Sequence, residues 1–154
     1  RRVLFRSGTM TRGMYERIEI DASADDVYRV AADIETYPEW AQGMRAVEVH
    51  ESDENGLPTR ASFTVEGIVK EINYTLTYTH EVPTKMSWVA DAGPDVRELT
   101  GSYEFAEADG RTTVTYALRV EPAFRVPGFL VRQGEKQIVQ AALRGLKKRV
   151  ETGA

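Results

Sequence analysis

The feature that most narrows the folds open to this chain is its ending: a single amphipathic stretch of helical period, from about Gly128 to Val150, that follows a long tract of alternating residues. Ile138, Val139, Ala142, Leu143, Leu146 and Val150 form one stripe, while Arg132, Lys136, Gln140, Arg144, Lys147 and Lys148 are mostly left to solvent. About twenty residues at 1.5 Å each make a rod of roughly 30 Å. Its closing basic cluster suits the negative end of the helix dipole. The other elements must be arranged to bury this stripe.

The preceding tract is read as strands. Met14 to Asp21 alternates, with Met14, Ile18 and Ile20 on one parity. Ser23 then offers an N-cap hydroxyl, Asp25 and Asp26 place negative charge in a first turn, and Val27, Val30, Ala31 and Ile34 recur at helical spacing. Pro38 disfavours helix at Tyr37, so a bend is expected there, with a second short helix over Pro38 to Gln42 carrying Trp40. Six further strands are predicted: Met44 to Glu51, Thr59 to Glu66, Val69 to His80, Lys85 to Asp91, Val96 to Glu107 and Arg111 to Glu121. Turn signals at Asn55-Gly56, Pro83, Gly93-Pro94 and Asp109-Gly110 separate them. Ile72, Tyr74, Leu76 and Tyr78 share a parity, as do Leu99, Gly101, Tyr103 and Phe105, and Val114, Tyr116, Leu118 and Val120. The opposite parity is polar, so one face is buried and one is wet. Short connections imply an antiparallel meander. The expected class is α+β: a curved seven-stranded antiparallel sheet around the long C-terminal helix, with two short helices after the first strand.

Composition excludes several functions. Lys plus Arg is 20 and Asp plus Glu is 24, a net charge of -4. Arg1, Arg2 and Arg6 stand in an opening with no acid, and without residues 1–10 the balance falls to -7. Nucleic acid is therefore an unsuitable partner, and the acidic pair of short helices has the wrong sign for a DNA groove. With 0 cysteines, thiol catalysis, thiolate metal sites and disulfides are out. No run approaches the ~18 apolar residues of a membrane span, so no stable insertion is expected. Residues 1–13 lack the apolar core of a secretory signal and read as a leader ahead of a start at Met10 or Met14, with one domain over 14–152 and a cytoplasmic location.

No phosphate-binding glycine loop, dinucleotide fingerprint or nucleophile elbow occurs. His80-Glu81 starts a zincin-like phrase, but Pro83 interrupts it and no second His follows, so neither a metal nor a cofactor is expected. His50 and His80 read as surface or strand-end residues. Arg97, Glu98 and Asp95 before the sixth strand read as a solvated edge; the first two, being adjacent, share a face only across a bulge. What stands out is a set of rings on the buried parity: Phe63, Tyr74, Tyr78, Trp88, Tyr103, Phe105 and Tyr116. Four inward tyrosines are hard to satisfy in a dry core, because each hydroxyl seeks a partner.

The stretch Ile20-Asp21-Ala22-Ser23-Ala24-Asp25-Asp26-Val27-Tyr28, followed by Asp33, Tyr37, Pro38 and Trp40 in an Asp-x-x-x-Tyr-Pro-x-Trp bend, resembles the opening of the START-like (SRPBCC) superfamily with its helix-grip fold. The actinobacterial polyketide cyclase/dehydrase and lipid-transport proteins are the most similar in look, and the resemblance runs from Tyr15 to Val150. It implies a cavity between the concave sheet and the last helix that holds a hydrophobic small molecule such as a lipid, quinone or polyketide. Lining residues are expected to be Phe63, Ile72, Tyr74, Trp88, Leu99, Tyr103, Tyr116, Ile138, Ala142 and Leu143. Two other outcomes fit the same resemblance: a cyclase or dehydratase working in that cavity, and a protein-interaction module of the toxin-like or quinone-binding kind, for which an exposed Tyr37 and Trp40 are the place to look. No catalytic residue can be named, and a protein partner is unknown.

Overall fold

The structure, a computed structural model, describes residues 13–67 and 70–154. Strand β1 (Met14–Ile20) leads into α1 (Ala24–Ala32), a 3-10 turn (Ile34–Thr36) and α2 (Tyr37–Trp40). Then come β2 (Met44–Ser52), β3 (Pro58–Glu66), β4 (Glu71–Glu81), β5 (Lys85–Ala90), β6 (Val96–Ala108), β7 (Arg111–Pro122) and α3 (Gly128–Thr152). The expected leader, apart from Gly13, and the expected strand start at Val69 lie outside the described residues.

Strands two to seven form a meander, and β1 closes against β7, giving the order β1-β7-β6-β5-β4-β3-β2 with every pair antiparallel. The helices α1 and α2 thus join the two edges of one curved sheet, and α3 packs against β1 and β7. This is the α+β helix-grip architecture expected from the order of elements. Ser23 caps α1, its hydroxyl accepting from the Asp26 N–H at 3.2 Å.

Glycine permits close approach at two positions that shape the sheet and the helix seat. A Cβ at Gly101 on β6 would collide with the Trp88 indole on β5, directly opposite in register. At Gly145 a Cβ would stand 3.0 Å from the Trp40 ring and backbone, so the bare position lets α3 seat closely on α2.

Three expectations are corrected. Tyr37 is helical (φ -52, ψ -39) and begins α2 despite the proline after it, because its buried hydroxyl is anchored to the Ala31 carbonyl. Neither Tyr37 nor Trp40 is an exposed docking pair: Tyr37 is 8% exposed, Trp40 is half-buried, and their rings meet edge to face at 5.0 Å. Ile138 is 47% exposed, because one helical step before Val139 carries it about 100° off the buried stripe. That stripe begins instead at Glu135 and runs through Val139, Leu143 and Leu146.

Candidate ligand site

The cross-strand register turns the sequence parity into a continuous aromatic wall on the concave face. Phe63 on β3 stands opposite Tyr74 on β4, and their rings stack at 5.4 Å. Tyr78 on β4 faces Trp88 on β5 at 5.7 Å. Tyr103 on β6 faces Tyr116 on β7, stacked at 4.7 Å, and Trp88 reaches both, at 5.5 and 5.7 Å. Such directly opposed rings are the strongest lateral contacts a sheet offers. Leu99 is buried on the same face of β6, Ile72 is half-buried on β4, and α3 contributes buried Leu143 and half-buried Ala142. Of the ten predicted lining residues, only Ile138 lies on an exposed surface.

The hydroxyls divide into two groups. Tyr28 donates to the Lys85 carbonyl at 3.1 Å and stands 2.8 Å from His80 Nδ1, while Tyr37 is bonded to the Ala31 carbonyl. Among the described residues the hydroxyls of Tyr74, Tyr78, Tyr103 and Tyr116 have no hydrogen-bond partner. Yet among the described residues no fully enclosed side-chain polar atom lacks a partner, so these four oxygens keep contact with space that water can reach. Burial is the main reason the hydroxyls of Tyr78, Tyr103 and Tyr116 lose protons only well above the usual 10.0; the neighbouring phenols add to it for Tyr78 and Tyr116, and Tyr37 for Tyr103. Near neutral pH the cluster is a set of uncharged donors and acceptors. It can hold a carbonyl or phenol oxygen; it cannot take a proton as a base.

Among the described residues, hollows open at the ends of the sheet. One of about 230 Å³ lies between the α1 end and the β2–β3 hairpin, floored by Ile34, Leu57 and Pro58. Another, of about 330 Å³, lies at the β7–α3 junction among Val120, Phe124, Val126 and Val131. None of the predicted lining residues borders either one. However, Val120 continues the row Val114, Tyr116, Leu118 along β7, so the second hollow meets the concave face at its end.

Sequence reasoning missed two buried carboxylates. Asp95 is 6% exposed, not part of a solvated edge: it pairs with Lys70 at 2.7 Å and accepts the Asn73 N–H at 2.9 Å. The Lys70 hydrogen bond is the leading reason its carboxyl stays below the usual range. Glu135 is 4% exposed and accepts the Val120 N–H at 2.8 Å, fixing the first turns of α3 to the end of β7. Its spacing of four from Val139 would have revealed it. Arg97 and Glu98 both face water: β6 carries an irregularity between Val96 and Glu98, and their partners are Glu121 at 3.8 Å and Arg119 at 2.6 Å. His50 is exposed and His80 is half-buried, bridging Tyr28 and the Pro58 carbonyl at 2.6 Å. Among the described residues no group of three His, Asp or Glu is placed to hold a metal ion, and no helix is long and apolar enough to cross a membrane.

Solved structures of the same architecture include a START superfamily protein from Mycobacterium smegmatis, 18% identical, with a TM-score of 0.83 over 92% of this chain and 99% of that one. The Zhui aromatase/cyclase from Streptomyces sp. R1128 is 17% identical, with a TM-score of 0.70 and coverage of 93% and 98%. A STAR-related lipid transfer protein from Xanthomonas axonopodis is 18% identical, with a TM-score of 0.71 and coverage of 96% and 90%. At these identities the likeness establishes the fold alone. No curated protein matches the sequence. The family described as polyketide cyclase / dehydrase and lipid transport matches residues 11–151, nearly the whole length, and the chain belongs to that family.

Proposed function

We propose that the protein binds, and passes on, a hydrophobic small molecule bearing at least one oxygen acceptor, of the lipid, quinone or polyketide kind, between the concave sheet and α3. The observation that carries this reading is the group of four tyrosine hydroxyls, on β4, β6 and β7, that find no partner among the described residues while their rings form an apolar wall. Phe63, Trp88 and Leu99 from the sheet, with Ala142 and Leu143 from α3, supply the apolar contacts in this reading, and Ile72 flanks Tyr74. The hollow at the β7–α3 junction is its opening; about 330 Å³ falls within the range of small-molecule sites. Names of structural relatives, an aromatase/cyclase and a lipid transfer protein, are compatible with such cargo.

Cyclase or dehydratase chemistry has less support, because it needs a base beside the donors and phenols raised by burial are not bases near neutral pH. Native mass spectrometry of the purified protein tests the binding reading, with a co-purifying hydrophobic molecule as the expected result. Tyr103→Phe and Tyr116→Phe are each expected to weaken its retention by about threefold to tenfold, the worth of one hydrogen bond. A protein that is always empty and takes up neither lipids, quinones nor aromatic polyketides overturns the reading.

A further inference from the structure

The start of α3 is the least covered part of that helix. Across residues 128–138 only Glu135 is buried, and Phe129 is 62% exposed. Phe129, Arg132 and Lys136 recur at spacings of three and four, so they share one side of the helix, and exposed Arg125 leads into it. Every charged residue from 123 to 134 is an arginine. Among the described residues Arg125, Arg132 and Lys136 form no ion pair. The acids around the adjoining hollow are already engaged: Glu98 with Arg119 at 2.6 Å, Glu121 with Arg119 at 3.7 Å, Asp95 with Lys70 at 2.7 Å, and Glu135 with the Val120 N–H. An exposed ring thus stands in a field of one sign on a chain whose net charge is -4.

At the other end of the strands charges of both signs meet: α1 carries Asp25 and Asp26, and the last turns of α3 pair Lys147 with Glu151 at 2.9 Å and Arg149 with Glu39 at 3.0 Å. Helix α1, with Asp25 and Asp26, is tied to the β6–β7 hairpin by the Ala24 N–H on Glu107 at 2.8 Å and by Thr112 on the Ala22 carbonyl at 2.7 Å. From Thr112 to Pro122 strand β7 runs roughly 30 Å at 3.3 Å per residue.

We propose that the face formed by Arg125, Phe129, Arg132 and Lys136 docks peripherally on an anionic lipid surface. The ring enters the boundary between headgroups and acyl chains, the cations meet lipid phosphates and carboxylates, and the hollow beside them faces the bilayer. A single protruding ring flanked by cations and Gln133 offers far less area than the ~800 Å² a stable protein partner covers, whereas a lipid surface needs only ring and charge. The far end of α3 makes the contrast: Arg144 and Lys148 are exposed there, but Leu146 is fully buried and the neighbouring Trp40 ring is half-buried against Gly145.

Co-sedimentation of the whole chain with vesicles tests this. Vesicles of phosphatidylcholine plus phosphatidylserine are expected to carry the protein down, pure phosphatidylcholine is not, and added salt is expected to weaken binding. Arg125→Glu and Arg132→Glu should each lose about fivefold or more, and Lys148→Glu, the same change of net charge at the other end, less than about twofold. Phe129→Ser should weaken binding with the salt dependence kept. Matching melting curves separate these losses from unfolding, and Arg132→Gln reads the same loss in a milder form. No sedimentation at low salt, equal losses in Lys148→Glu and Arg132→Glu, or equally tight capture by soluble polyglutamate overturns the proposal. The assay needs no bound cargo, so its failure leaves the interior site standing, and an empty interior leaves this surface standing.

Discussion

Where α1 meets the β6–β7 hairpin, inward polar groups are matched within the protein. Thr112, 0% exposed, donates to the Ala22 carbonyl, Glu107 accepts the Ala24 N–H, and the Tyr28 hydroxyl, His80 and the Pro58 carbonyl form a bonded chain. From the middle of the sheet to the β7–α3 junction the rule reverses. Four tyrosine hydroxyls have no partner among the described residues, a hollow of about 330 Å³ opens, and Phe129, the single ring of α3, is exposed at that end. One end of the molecule spends its polarity on itself and the other holds it in reserve. A fold that grips a helix can thus satisfy its inward polar groups at one end, where α1 and β1 anchor it, and leave them open to a guest at the other without losing its core.

The largest effect that would test this contrast is on stability. Ile20, 0% exposed where β1 gives way to α1, is expected to lose about 2–5 kcal/mol on replacement by Ala, through lost transfer energy and the cavity left behind. Phe129→Ala, at the other end, should stay within about 0.5 kcal/mol. Urea melts read both. Equal losses would mean that the α3 start is packed as tightly as the α1 end.

Alkaline titration sharpens the same comparison. Burial pushes Tyr28 up to about 12, and Tyr37, Tyr78, Tyr103 and Tyr116 well above the usual 10.0. In the unfolded chain these phenols ionise near 10.0, so the folded state holds their protons more tightly. Their contribution to stability is complete below that pH and is lost as pH rises above it. Absorbance from these buried phenols is expected to appear late, in one cooperative step with loss of circular dichroism, apart from that of the exposed Tyr15. Gradual ionisation of the cluster in an intact fold would show freer water access than its burial indicates.

Much of this was legible in the sequence because period two and period three-and-a-half say which face is buried. The rows Ile72 to Tyr78, Leu99 to Phe105 and Val114 to Val120 point inward as their parity requires, and strand and helix limits differ by only a few residues. The illegible parts depend on what lies opposite in space. Asp95 looks like an edge residue until Lys70 and the Asn73 N–H are brought to it. Tyr37 looks like a bend until its hydroxyl finds Ala31, and the β7–α3 hollow lies among Pro122, Phe124 and Val126 in the connection between strand and helix, a place that periodicity does not encode. Parity could place four tyrosines inside; it could not say which hydroxyls would be left without acceptors.

That last distinction yields the smallest and most discriminating effect. Tyr37→Phe removes the donor to a buried carbonyl near the end of α1 and should cost about 1 kcal/mol, with the ring packing against Trp40 retained. Tyr116→Phe removes a hydroxyl with no protein bond to lose, while its ring keeps the stack on Tyr103, so in empty protein the change should be near zero or slightly stabilising. The sign for Tyr116 then reverses in the presence of cargo, because only the parent can donate to it, and the cargo-induced rise in melting temperature shrinks in the variant. If Tyr116→Phe in empty protein costs as much as Tyr37→Phe, its hydroxyl is satisfied by the fold itself and the division between the two ends of the sheet fails.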